Sequence, residues 1–142
     1  MTSISVHARP APLHPLHALL LGGSLPLFLG ALLSDIAYFN SYQIQWSNFA
    51  SWLIAGALLL SGFALLCAVI GLFRSTRRQG SALVYFLLLL AGWMLGLLNA
   101  LVHAKDAWAV MPAGLVLSVV VALLMLAATC LGFFAMRTGG VQ

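Results

Sequence analysis

Hydrophobic positions in this chain neither alternate nor recur at a fixed interval; they run on without a break. Four apolar stretches cover about residues 16–38, 49–73, 82–102 and 113–136. Each is close to or longer than the roughly 20 residues that carry a helix across a bilayer. None contains Lys, Arg or Glu, and the one acid inside them is Asp35, near the end of the first. A strand of a membrane barrel alternates lipid-facing and lumen-facing residues, whereas runs such as LLLL (87–90) and SVVVALLML (118–126) do not. The pattern therefore predicts helices. The segments between them, 39–48, 74–81 and 103–112, are too short to hold a soluble domain. Short connections also force consecutive helices to lie antiparallel. The expected fold is all-α: an up-down four-helix transmembrane bundle, one domain over residues 1–142.

Composition supports this reading. Of 142 residues 63% are hydrophobic and 6% charged, against about 25% charged in a soluble domain. Eight charges cannot cover the surface of a water-soluble fold of this size. A nucleic-acid binder, a coiled coil and a disordered tail are excluded on the same ground. The few charges are placed unevenly. Arg9, Arg74, Arg77, Arg78 and Arg137 fall on one side of a four-span topology, and Lys105, next to Asp106, falls on the other. Basic residues mark the cytoplasmic side, so both termini are expected there, in the cytoplasmic (inner) membrane of a bacterium. The net charge of +4 thus reads as membrane anchoring. The first span is long for a secretory signal and is expected to stay in place. Tyr38, Phe39, Tyr42, Trp46, Phe49 and Trp52 crowd the first connection and read as an interfacial belt on a loop lying among the headgroups. Cys67 and Cys130 sit inside spans and read as small buried hydrophobes rather than a disulfide.

Polar groups in hydrocarbon are costly, so each one needs a reason. In the first span, His17, Ser24 and Asp35 recur at 7 and 11 residues, which returns them to nearly the same helix face. His14 lies to the side of this stripe. Gly22, Gly23 and Gly30 allow close approach of a neighbour, and Pro26 leaves the Gly22 carbonyl without its helical donor, so this span is expected to be kinked and packed inside the bundle. A second polar cluster, Asn99, His103 and Asp106, ends the third span, on one face if the helix continues that far. Asp35 and His103 lie at the same level, so a carboxylate–imidazole contact across spans one and three is geometrically open. Gly92 with Gly96, Gly114 with Ser118, and Ala128 with Gly132 are small-xxx-small pairs of the kind that pack helices, within a chain or in a homodimer.

The entry HPLH (14–17), the apolar run with Pro26, and Asp35 at its far end resemble the opening of an uncharacterised bacterial membrane family, domain of unknown function 2231. NALVHAKDAW (99–108) followed by MPAGLVLSVVVALL (111–124) resembles its later half. Ala18 stands where the family's entry usually has a second Pro, and the further His of some members is missing. The resemblance implies four spans and no established activity. Some related proteins join the domain to cytochrome c-like modules, which implies a respiratory or redox setting.

On function, the small residues and nearly empty loops favour a non-enzymatic scaffold or accessory subunit, working through the bilayer, a partner subunit or a homodimer. A haem- or quinone-binding redox protein is the alternative, with His17, His14 and His103 as cofactor-binding candidates. However, His17 and His103 lie roughly 30 Å apart along the bundle at 1.5 Å per residue, too far to share one haem. An oligomeric transporter of protons, ions or small solutes is a third reading, using Asp35, Asn99 and His103. An enzyme is disfavoured, because no HExxH, GxSxG or paired carboxylates occur within a span. His14-x-x-His17 supplies only two metal ligands where zinc takes three or four.

Overall fold

The computed structural model describes residues 14–74, 79–105 and 107–137. Four helices fill them: α1 (Pro15–Ser41), α2 (Ile44–Arg74), α3 (Gln79–His103) and α4 (Ala113–Arg137), with a short 3-10 turn at Ala107–Ala109 before α4. All four are long and apolar enough to cross a membrane. The protein is a multi-pass membrane protein. Each helix packs on its chain neighbours, and α4 closes the ring against α1. This leaves α1 and α3 facing one another across the diagonal.

The buried residues show how four uniformly apolar helices find their inner faces. On α1 they are His17, Leu21, Ser24, Phe28, Ala31, Asp35 and Tyr38, with Ser34 beside them. Their spacing alternates four and three, the heptad of left-handed helix packing. Ser47, Ala50, Ile54, Ala57, Ser61 and Ala64 repeat it on α2, and Ser118, Val121, Met125 and Ala128 on α4. The inner faces mix small and polar residues with large ones such as Leu21, Phe28, Ile54 and Met125, while Leu19, Leu33, Phe63, Leu66, Leu123 and many others point outward. Because the surroundings are lipid, burial here is not driven by removing apolar surface from water. Close packing and internal hydrogen bonds hold the helices together.

Two sequence expectations change. The first connection is not a ten-residue loop. α1 runs to Ser41 and α2 begins at Ile44, so Trp46 and Phe49 are helical. The turn is made by Tyr42 in the left-handed region (φ 53°, ψ 22°), its N–H donating to the Tyr38 carbonyl at 2.7 Å, an αL helix stop. Tyr42 then stacks on Trp108, ring centroids 6.2 Å apart, so the aromatic belt ties the two connections at this end together. The helix α1 runs unbroken through Pro26. Cys130 is exposed on the outer face rather than buried, and Cys67 is half-buried; both are free thiols. The basic residues Arg9, Arg77 and Arg78 lie outside the described residues.

The small-residue pairs are used within the chain. A Cβ on Gly96 would sit 3.2 Å from the ring of Phe28 and 3.1 Å from Leu58, so Gly96 is what lets the largest fully buried side chain cross from α1 to α3. Gly92 is filled the same way by Met125.

Candidate functional site

Asp35 and His103 meet. His103 Nε2 lies 2.8 Å from Asp35 Oδ1, and both side chains are fully buried. The second carboxylate oxygen, Oδ2, accepts from the Ser118 hydroxyl of α4 at 2.5 Å. Ser118 in turn accepts from Asn99 Nδ2 at 2.8 Å. His103 Nδ1 lies 3.0 Å from the backbone carbonyl of Asn99 one turn back. The network therefore fastens α1, α3 and α4, and a carboxylate that would be costly in lipid is satisfied at both oxygens. Within this network Asn99 Oδ1 is buried without a partner.

The partners fix most of the protons. A carbonyl can only accept, so His103 Nδ1 carries hydrogen. Ser118 spends its hydrogen on Oδ2. The 2.8 Å contact between Nε2 and Oδ1 then needs one proton, either on the imidazole facing a carboxylate or on the carboxyl facing a neutral imidazole. Both forms have zero net charge as a pair, which is what a low-dielectric site tolerates.

Space for the imidazole comes from α4. A Cβ on Gly114 would meet Val110 Cγ1 at 2.7 Å and His103 Cε1 at 2.9 Å. The Gly114–Ser118 pair thus serves this site rather than a helix dimer: the glycine admits the ring and the serine anchors its partner. Beside the network opens a cleft of about 420 Å³ lined mostly by polar residues, Gln45, Ser47, Asn48 and Ser51 of α2 with His103 and Lys105, and by Ile44. The helix α3 stops at His103, so the expected 99–103–106 face ends at its second member. Asp106 lies outside the described residues.

At the opposite end His17, 2% exposed, places Nε2 at 2.6 Å from the Tyr85 hydroxyl, the rings edge to face. Its Nδ1 is buried without a partner. His14 does not join it: its Nδ1 accepts from the Leu16 N–H at 3.3 Å, an N-cap bond at the exposed helix start. The two bridges repeat one register, since His17 to Tyr85 and Asp35 to His103 are both 68 positions apart. Between them the core is apolar, with Leu21, Phe28, Leu89, Val121 and Met125 all at 2% exposure or less.

The sequence model of a family described as a predicted membrane protein, DUF2231, matches residues 13–142. The chain belongs to the DUF2231 family. No curated protein and no solved structure is similar enough to count as a match, so the family description adds membrane residence and no chemistry to this DUF2231 chain.

The haem candidates can be weighed on geometry. Both ring nitrogens of His103 are engaged in hydrogen bonds, and His17 and His103 sit in different bridges at opposite ends of the bundle. These histidines do not form a facing axial pair. Among the described residues no three His, Cys, Asp or Glu side chains cluster for a metal. Sequence reasoning paired Asp35 with His103 but gave Ser118 and Gly114 only a packing role. Ser118 and Gly114 share a face at a spacing of four, and Tyr85 stands at the His17 level of the third span. Those were the available signals.

Proposed function

We propose that this DUF2231 protein is a non-enzymatic accessory protein of the bacterial cytoplasmic membrane, with both termini cytoplasmic, built around a proton-dependent latch. The observation that carries the reading is the Nδ1–H bond of His103 to the Asn99 carbonyl. A neutral imidazole has one N–H for two acceptors, Asp35 Oδ1 and the Asn99 carbonyl, so both bonds are kept only when the pair holds one further proton. Without it one of the two is lost and the hold on His103 between α1 and α3 weakens. The polar cleft supports access from the Lys105 side. The apolar layer around Phe28 and Met125 supports a one-sided site over a path through a single chain. A partner subunit packed on the bundle would feel the state of the latch as a change in how firmly α1, α3 and α4 are held.

The test is thermal stability against pH in detergent, for wild type and Asp35→Asn, from pH 7 to 10. The folded pair binds one proton that the separated side chains do not hold at alkaline pH, so stability falls as pH rises, with a slope of up to ~1.4 kcal/mol per unit. In Asp35→Asn the amide can donate to Nε2 and its carbonyl can accept from Ser118, so the tie needs no proton. That variant should stay folded with a flat profile. Parallel profiles for the two proteins would refute the latch.

A further inference from the structure

The seam between α2 and α3 carries two openings of opposite character. At its Lys105 end is the polar cleft. One turn further along α2, from Ser51 to Ala55, an apolar groove of about 520 Å³ begins, walled by Leu59, Phe63 and Leu66 and floored by Trp93. The floor is fixed: the indole Nε1 donates to the Leu58 carbonyl at 3.1 Å. A Cβ on Gly62 would lie 3.1 Å from that same nitrogen, so the missing side chain is what lets the ring lie flat against α2. The groove is thus preformed and open toward lipid.

At ~1.5 Å per residue, Trp93 lies roughly 15 Å from His103 along α3, about half of a ~30 Å hydrocarbon core. The groove, from Ala55 to Leu66 of α2, is therefore centred near mid-bilayer and is roughly 16 Å long at ~1.5 Å per residue, while the cleft opens at the interface, beside the Trp46 and Phe49 belt. The cleft offers donors: the amides of Gln45 and Asn48, the Ser51 hydroxyl and the Lys105 ammonium. No acidic residue lines it among the described residues. A polar, cation-bearing head site followed one turn along α2 by an apolar tail site fits one class of occupant.

We propose that the α2–α3 seam binds a single anionic phospholipid, its phosphate at Lys105 and one acyl chain in the groove over Trp93. The Coulombic attraction of Lys105 selects a net negative head over a zwitterionic one, and the groove supplies dispersion contacts that annular lipid, packed on a convex helix face, does not make. The cleft shares His103 with the proton latch, whereas Lys105 and the groove residues lie outside that network, so the variants below leave the latch residues in place.

Native mass spectrometry of the detergent-purified full chain, titrated with phosphatidylglycerol or phosphatidylcholine, tests it. Wild type should retain one phosphatidylglycerol about tenfold better than phosphatidylcholine. Lys105→Gln should bring the two lipids level. Ala55→Phe, which fills the groove from its exposed side, should lose retention of both, and Leu59→Trp repeats that test should Ala55→Phe fail to fold. Millimolar inorganic phosphate should not displace the lipid, because the tail contributes. Equal retention of the two lipids by wild type, unchanged binding in Lys105→Gln, or full retention in a folded groove-filled variant would each overturn the proposal. So would displacement by inorganic phosphate alone, or a purified protein carrying an isoprenoid quinone in the seam.

Discussion

Gly114 offers the most direct test of how the Asp35–His103 site is held. Replacing it with Ala adds one methyl group at a helical position, which by propensity alone should stabilise by about 1 kcal/mol. Here the added carbon would stand 2.7 Å from Val110 Cγ1 and 2.9 Å from His103 Cε1, both well inside van der Waals contact. Val110 is fully buried and the His103 side chain is hydrogen-bonded at both nitrogens, so neither can step aside freely. Overpacking of this kind costs roughly 1–3 kcal/mol. Pushing the imidazole off Asp35 forfeits a membrane-buried hydrogen bond of about 0.6–2 kcal/mol. After the propensity gain, the net loss is roughly 1–4 kcal/mol, a fall in Tm of several degrees for a chain of this length. Gly71→Ala is the control, because nothing lies within 4 Å of a Cβ there, and it should be neutral or stabilising. Both variants would be followed by thermal unfolding in detergent, with the alkaline slope measured in parallel. A Gly114→Ala protein as stable as Gly71→Ala, with the wild-type pH profile, would refute the claim that this glycine makes room for the ring.

Asp35→Ala and His103→Ala each strand a buried polar partner and should cost roughly 3–5 kcal/mol. His14→Ala removes only an exposed cap and should cost about 1 kcal/mol or less; equal Tm values for the three would contradict the assignment of a buried pair. Tyr85→Phe deletes the hydroxyl that His17 Nε2 contacts and leaves both imidazole nitrogens unpaired, a loss of roughly 1–3 kcal/mol in the same assay. A C-terminal fusion to a reporter active only outside the cytoplasm should stay silent, and signal from it would reverse the proposed topology.

The four helices were legible because lipid requires every spanning backbone group to be paired internally, which leaves long apolar runs as the only solution. The Asp35–His103 contact was legible for a related reason, since an acid in hydrocarbon must find a partner and one imidazole stood at its level. The start of α2 was not. Gln45 and Asn48 look like loop residues, yet a helix that extends past the hydrocarbon can carry them in the interface at no cost. The cleft they line was hidden with it. Ser118 was read as a packing residue because serine serves that role as often as it donates to a carboxylate. The inner faces gave little signal, because a helix with lipid outside and packing inside is apolar all round. Register told them apart, and register becomes visible only once the partners are in place.

The common offset of 68 between the two diagonal bridges has a further consequence. Both helices place the same interval, eighteen residues or about five turns, between their polar contacts. α1 and α3 therefore act as the two rails of a ladder with a rung at each membrane surface. One residue inserted or deleted between His17 and Asp35 would swing one rung about 100° around the helix while leaving the other in place. A slide of α1 that freed Asp35 would also pull on His17. The length of this interval is thus constrained more tightly than the side chains that fill it, and the two sides of the membrane are mechanically joined through it.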